Sequence, residues 1–261
     1  MRNIKKYLSV FAMLVRASFG RVILLLIVMA AGQLGLFASD LRNHLLIYAA
    51  RPAEFPTFLE TMLRFPVFIW PVAAAFSVLC VLLCLPGCGY SAKCGYTLRR
   101  LNISERSVFV LQTLCNAVMF FLFWAAEVVV CLAACRMYAA AVDPSLVSHH
   151  TVPIAFYRND FLHSFLPMAD TTVWIRNGIM LLVLAMTTAL FPYKQRRGKF
   201  GADMVCYALL TGIFFRRSIG DGFNTFLTIF CGLILMAEVI HYVWIREEDE
   251  EEDNDKQNDC I

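Results

Sequence analysis

Long hydrophobic runs separated by short polar segments dominate this chain. A helix needs roughly 20 apolar residues to cross a bilayer core of about 30 Å. Runs close to that length occupy residues 22–38, 65–85, 108–140, 177–193, 203–215 and 222–245. The pattern predicts an all-α integral membrane protein, with six transmembrane helices in one membrane domain of residues 1–245.

Two of the six runs depart from the usual length. A helix over residues 108–140 would be about 50 Å long, too long for one untilted crossing and too short for two. We expect one long helix that protrudes from the bilayer. Residues 203–215 form either a short crossing or a re-entrant loop. A crossing is favoured, because a re-entrant loop would place the acidic C-terminal tail outside the cell.

Two surface segments are amphipathic. Residues 2–15, RNIKKYLSVFAMLV, set Lys5 and Lys6 beside Tyr7 and Leu8. This is typical of a basic interfacial helix in the headgroup layer, although the segment could also extend the first span. Between residues 143 and 176, the stretch IAFYRNDFLHSF predicts an interfacial or re-entrant helix with aromatic anchors.

The composition supports lipid as the main solvent of the chain, since 59% of the residues are hydrophobic and 16% are charged. No signal-peptide cleavage pattern precedes the first run, which is expected to be a retained anchor. Residues 246–261 hold nine acids and two bases, whereas residues 1–245 hold 21 bases and 11 acids. The tail is therefore expected to be acidic, solvated and cytoplasmic.

The distribution of Lys and Arg predicts the orientation, because these residues collect in cytoplasmic loops. With the N-terminus inside, 15 of the 23 basic residues, including every Lys, lie on the cytoplasmic side. Arg216 and Arg217 depart from the pattern. The prediction is a multi-pass protein of the plasma membrane with both termini in the cytoplasm.

The loop between the second and third spans is the most informative polar segment. It reads CGYSAKCGYTLRRLNISERSVFVLQ over residues 88–112. Residues 96–101 form a short basic amphipathic segment, Ser104 is placed to cap the following helix, and Glu105 lies near its positive end. The loop is either an ordinary positive-inside loop or a firm segment against which a cytoplasmic motor could push.

The run GYTLRRLNISERSVFVLQTLCNAVMFFLFW resembles the stretch that joins the second and third spans in ABC-2-type transporter permeases, particularly those of Gram-positive bacteria. The six-span layout and the basic N-terminal helix are similar as well. The chain departs from the family after the fifth span, where residues 216–221 leave little room for the usual extracellular helices.

In that family the loop after the second span carries a coupling helix that docks on a separate ATPase. The resemblance implies that role for Tyr96, Thr97, Leu98, Arg99, Arg100, Leu101, Ser104, Glu105 and Arg106, with a second contact at Arg196 and Arg197.

The chain has no ATP-hydrolysing motif of its own. A phosphate-binding loop needs G-x-x-x-x-G-K followed by Ser or Thr. Around Gly198 and Lys199 the first Gly is replaced by Tyr193, and Phe200 follows the Lys. We expect no enzyme activity and no cofactor in this chain, with ATP and Mg²⁺ bound by the partner ATPase. The other expected partners are a second permease, in a homodimer or heterodimer, and the bilayer, but no nucleic acid.

Polar residues within membrane spans are costly and become candidates for the substrate pathway: Gln112, Asn116, Glu127, Glu238 and His241. Glu127, near the middle of the third span, would contact a cationic or amphipathic substrate or hydrogen-bond a neighbouring helix. Glu238 and His241 are expected to be a structural pair, because a metal site needs further ligands. The cysteines at 80, 84, 88 and 94 lack the C-x-x-C spacing of zinc sites and are expected to pack in the core.

The resemblance implies that the chain is the membrane-spanning permease subunit of an ATP-driven ABC-2-type exporter, and a peptide, drug or lipid-like molecule would suit its aromatic-rich interior as substrate. Two other classes stay open. One is a membrane enzyme that uses Glu127, Glu238 and His241 on a lipid-phase substrate. The other is a scaffold or sensor subunit that recruits a partner without transporting anything.

Overall fold

The computed structural model describes residues 2–50, 59–64, 66–87, 104–144, 147–148, 150–166, 171–196, 205, 207–209, 211 and 221–244. Eight helices and one 3-10 turn have described bounds, residues 205, 207–209 and 211 are helical as well, and none of the described residues lies in a strand. The helices are α1 (Arg2–Ala50), α2 (Leu59–Arg64), α3 (Pro66–Cys84), α4 (Glu105–Ala141), α5 (Thr151–Arg158), α6 (Asp160–Phe165), α7 (Thr171–Arg196) and α8 (Asp221–Trp244), and the 3-10 turn is Leu85–Gly87.

Four helices are long and apolar enough to cross a membrane: Lys6–Ala50, Glu105–Ala141, Thr171–Gln195 and Thr225–Trp244. A fifth apolar helix, Ile69–Cys84, is shorter. The architecture is that of an all-helical, multi-pass, membrane-embedded protein. Residues 205, 207–209 and 211 of the predicted fifth span are helical; its other residues and the acidic tail lie outside the described part.

The helices α1 and α4 are much longer than a bilayer core is thick. Helix α1 has 49 residues and a length of about 73 Å, and α4 has 37 residues and a length of about 55 Å. The segment 2–15 is continuous with the first span rather than a separate interfacial helix, and Val10 and Leu14 within it are buried. The long third span is a single helix, as predicted, and Ser104 caps it by accepting a hydrogen bond from the amide N–H of Ser107.

Four of the helices form a ring. Helix α1 packs on α3 and α4, and α7 completes the ring by packing on the same two helices from the opposite side. Helix α8 packs on the outside of this ring, against α7. The apolar faces that meet inside the ring form one continuous core.

Contacts between side chains fix the relative directions of α4, α7 and α8. The rings of Phe109 and Tyr193 lie 5.9 Å apart and those of Trp124 and Trp174 lie 5.4 Å apart, so α4 and α7 are antiparallel. In contrast, α7 and α8 are parallel. Gly232 lies against Ile179 near the start of α7, and the ring of Tyr242 lies 6.3 Å from that of Tyr193 near its end.

This arrangement gives the molecule two ends. At the base, α4 begins and α7 and α8 end. At the opposite end, α1 and α4 continue beyond the first turns of α7 and carry the short helices. We call this part the distal module and define it as residues 34–50, 59–64, 128–141 and 151–165.

The hydrophobic core of the bundle continues into the distal module, and every helix of the module contributes to it: Phe37, Leu41, Leu59, Met62, Leu63, Val130, Ala134, Tyr138, Ala155, Phe156 and Leu162. The segment predicted as one interfacial or re-entrant helix is two short helices. The extended backbone of Asn159 ends α5, and its side-chain Oδ1 caps α6 by accepting hydrogen bonds from the amides of Phe161 and Leu162. Asn177 of α7 donates to the carbonyl of Ser164 at 2.7 Å, which joins the module to the bundle.

Helices α7 and α8 approach each other closely at Gly232. A Cβ atom at this position would lie 2.8 Å from Cγ2 of Ile179, and the β-branched Ile side chain has little freedom to move away. Small residues allow this kind of close packing between helices in a membrane.

We therefore expect Gly232→Leu to destabilise the protein by about 1–3 kcal/mol through overpacking. Gly178→Leu is the matched control, because Gly178 is an exposed helical glycine with no atom within 4 Å of its Cβ position. Thermal unfolding in detergent, followed by circular dichroism, measures both. Equal melting temperatures for the two variants would contradict this packing.

Candidate functional site

Buried polar side chains link the long helices at two levels of the bundle. One level, nearer the base, contains Asn116 and Thr188. The other, at the junction with the distal module, contains Gln33 and Glu127. All four side chains are at most 3% exposed, so each link lies away from the surrounding solvent or lipid.

The link nearer the base joins α4 to α7. The Asn116 amide Nδ2 donates to Oγ1 of Thr188 at 2.9 Å, and that hydroxyl donates in turn to the carbonyl of Leu184 at 2.7 Å. The Cys84 thiol of α3 reaches the Thr188 carbonyl at 3.7 Å. This neutral pair is satisfied and serves to hold the helices together.

Gln112 lies one helical turn before Asn116 on the same face of α4 and is 2% exposed. Neither polar atom of its side chain has a hydrogen-bond partner among the described residues. An amide buried without partners costs free energy, so Gln112 contributes a polar group to the interior without stabilising it.

The second link joins α1 to α4 through a carboxyl group. Oε1 of Glu127 accepts a hydrogen bond from the Gln33 amide Nε2 at 3.0 Å and lies 3.7 Å from the Cys131 thiol. Glu127 is fully buried. Its Oε2 atom has no hydrogen-bond partner among the described residues.

Glu127 lies at the end of the helical bundle that adjoins the distal module. Trp124, one turn before it, packs on Trp174 in the first turn of α7 and donates to the carbonyl of Phe165 in α6. The carboxyl group is therefore at the boundary between the bundle and the distal module. Glu127 is near the middle of α4 but at one end of the bundle, because α4 extends far beyond the first turn of α7 on that side.

Glu238 and His241 lie elsewhere. Both are exposed on α8, and within the described chain no hydrogen bond or ion pair joins them. Glu238 borders a small crevice near the base with Lys194 and Tyr242. Trp174 and Leu190, which mark the two levels on α7, are about 24 Å apart along the helix axis. Glu127 therefore does not share a site with Glu238 and His241, and the described residues contain no cluster of three metal-ligating side chains.

The predicted coupling residues fall at the base as far as the structure describes them. Tyr96, Thr97, Leu98, Arg99, Arg100, Leu101 and Arg197 lie outside the described residues. Ser104, Glu105 and Arg106 begin α4, and Arg196 ends α7. The Arg106 guanidinium donates through Nη2 to the main-chain carbonyl of Trp244 at 3.3 Å. This bond ties the first turn of α4 to the last residue of α8.

Aromatic side chains surround that tie, and we call them the base cluster: Phe109, Tyr193, Tyr242 and Trp244. The Phe109 ring lies 5.9 Å from Tyr193 and 6.4 Å from Trp244, both edge-on, and the Lys194 ammonium lies 4.9 Å from the centre of the Tyr242 ring. Aromatic pairs in such geometries contribute beyond their buried area. The base cluster joins α4, α7 and α8 into one unit.

Gln33, Thr188 and the base cluster are not among the residues predicted from the sequence. Gln33 was detectable, because it is the one strongly polar residue in the run 22–38 and such residues in membrane helices mark interhelical contacts. The aromatic residues were not detectable, since 13% of the chain is aromatic and single rings give no positional signal.

No protein-family model matches this chain, and searches of curated proteins and of solved structures give no significant match.

Two amide-to-leucine changes on neighbouring turns of α4 should differ in their effect on stability. Asn116→Leu removes a satisfied interhelical hydrogen bond and should cost about 1 kcal/mol. Gln112→Leu replaces an unpartnered buried amide and should leave the melting temperature unchanged or raise it. Thermal unfolding in detergent measures both variants. A clear loss of stability in Gln112→Leu would show that its amide has a partner beyond the described contacts.

Proposed function

We propose that this chain is the membrane-spanning permease subunit of an ATP-driven exporter of the ABC-2 type. One observation carries the proposal. The segment that resembles a coupling helix leads directly into α4, whose first turn is bonded to the end of α8 and packed through the base cluster on the end of α7.

Such a base is suited to receive force from a cytoplasmic ATPase. A shift of residues 96–104 would act on α4 at its capped first turn, and the bond from Arg106 and the ring contacts of Phe109 would carry the shift to α8 and α7. Three helices would thus move together, as is needed to switch a pathway between inward-open and outward-open states. A rigid-body movement of packed helices is a common form of such switching.

The direction of the helices supports six crossings. Because α7 and α8 are parallel and both end at the base, the chain between Arg196 and Asp221 has to return from the base to the other end. A helical crossing by the fifth predicted span, residues 203–215, would make that return. The base then faces the cytoplasm of the cell, the distal module faces the outside of the plasma membrane, and both termini are cytoplasmic.

Fusions at two points test the fifth crossing. Alkaline phosphatase, which is active only outside the cytoplasm, should be inactive when fused after Lys199 and active when fused after Gly220. A green fluorescent protein at the same points should give the reverse result. Two fusion points with the same sidedness would contradict a crossing between them.

The proposed complex contains two permease subunits, identical or different, and separate cytoplasmic ATPases that bind ATP and Mg²⁺. A peptide, a drug or a lipid-like molecule would suit the aromatic-rich interior as substrate. The permease itself contributes positioning and movement, while hydrolysis takes place on the ATPase.

The coupling segment can be tested by charge reversal. When the permease is purified from its native cell, an ABC ATPase should co-purify with it. The double change Arg99→Glu and Arg100→Glu should reduce the amount recovered by about tenfold, because two attractive contacts become repulsive. Quantitative immunoblotting or mass spectrometry of the complex measures this.

The matched control reverses two exposed arginines of the distal module, Arg42→Glu and Arg136→Glu, and should leave ATPase recovery unchanged. A third variant, Arg106→Gln, separates binding from coupling: it should retain the ATPase but lower the rate of ATP hydrolysis by the complex. Absence of any ATPase from the wild-type preparation, or equal losses in both charge-reversal variants, would overturn the proposed function.

A further inference from the structure

We propose that Glu127 is the binding point for an amphipathic ammonium ion between α1 and α4, and that Gln33 occupies this carboxyl group when no such ligand is bound. The inference deepens the proposed function by naming a class of substrate, and it rests on that function.

The first step is the incomplete hydrogen bonding of Glu127. An ionised carboxylate accepts up to about four hydrogen bonds. Here Oε1 accepts one amide N–H and lies near one thiol, a weak donor, whereas Oε2 has no partner among the described residues. The fully buried carboxyl group therefore retains capacity for a strong donor.

Helix α4 carries a second buried polar link, at Asn116, that uses no acid. Asn116 links α4 to α7 through neutral groups. Its amide donates to the Thr188 hydroxyl, which donates in turn to the Leu184 carbonyl. A neutral side chain at position 127 would link α4 to α1 through Gln33 equally well and would avoid the cost of a carboxyl group in a membrane protein interior. A role in holding the helices together thus accounts for Gln33 but not for the acid.

Apolar side chains surround the pair formed by Gln33 and Glu127. Met29 and Phe37 lie one turn on either side of Gln33 on α1, and Phe123 and Val130 lie at similar spacings from Glu127 on α4; all four are buried. Next to Gln33 on α1, Gly32 and Gly35 are exposed, with no atom within 4 Å of their Cβ positions. A ligand that enters between these helices would meet apolar walls around one acid, which suits a hydrocarbon group carrying a positive charge.

Exchange of partners would then open the α1–α4 contact. An ammonium group donates more strongly to a carboxylate than a neutral amide does, because its hydrogen bonds are charge-assisted. It would displace the Gln33 amide and use the free oxygen of Glu127 as well. The link between α1 and α4 would be lost only when the ligand is present.

Binding of dodecylammonium to the full-length protein in phosphatidylcholine nanodiscs tests this inference. The radiolabelled ion should bind in a saturable manner above the level of empty discs, and unlabelled dodecanol, which has the same chain without the charge, should not compete. Glu127→Gln keeps the size of the side chain and a possible amide link to Gln33. It should weaken binding by about tenfold or more, since a charge-assisted hydrogen bond is lost.

Gln33→Leu gives a second, independent readout, because it removes the competing amide and should tighten binding several-fold. A purely structural role of the pair would not predict this gain. Unchanged affinity in Glu127→Gln, competition by dodecanol, or unchanged or weaker binding in Gln33→Leu would overturn the ammonium site. Should Glu127→Gln fail to fold, Gln33→Leu decides the outcome alone.

These results are separable from the proposed function. The binding measurement contains no ATPase, whereas the charge-reversal experiment at Arg99 and Arg100 measures only recovery of the ATPase. If no ATPase associates with the protein but ammonium binding is intact, the exporter function is contradicted and the ammonium site is supported. If the ATPase associates but ammonium does not bind at Glu127, the exporter function is supported and the ammonium site is contradicted.

Discussion

Inside a bilayer, helices gain little from hydrophobic contact with one another, because lipid tails are as apolar as their side chains. Close packing and a few interhelical hydrogen bonds therefore have to select one arrangement. In this protein the selecting contacts are sparse and identifiable. Gly232 sets the distance between α8 and α7, Asn116 and Thr188 join α4 to α7, and Gln33 and Glu127 join α1 to α4. The arrangement of the four ring helices and of α8 depends on these few points.

The sequence predicted the helices well because the rule that produces them is local. In lipid every backbone N–H and C=O has to be paired within its own segment, so an apolar run of sufficient length is read directly as a helix. The run 177–193 lies inside Thr171–Arg196, and the long run 108–140 lies inside Glu105–Ala141. The N-cap at Ser104 was predictable for the same reason, since its donor is only three residues away.

The candidate site was less predictable, because its contacts join residues far apart in the chain. Gln33 and Glu127 are separated by 94 positions and Arg106 and Trp244 by 138. Hydropathy can mark Glu127 as costly, but the position of Glu127 along the bundle depends on where α7 begins relative to α4. The packing of α2, α5 and α6 into a module was also hidden, because short helices depend on tertiary contacts rather than on their own propensity.

Helix α4 connects the two regions on which the proposed mechanism depends. It carries Arg106 and Phe109 at the base and Glu127 at the junction with the distal module, about 32 Å farther along its axis. Its 37 residues contain neither Gly nor Pro, the residues at which helices usually kink. In the proposed mechanism, a displacement at the base would be transmitted along α4. At the other end, the hydrogen bond from Gln33 to Glu127 is the contact that a displacement of α4 relative to α1 would break. Force received from an ATPase and release of the carboxyl group to a ligand would then be two ends of one rigid element.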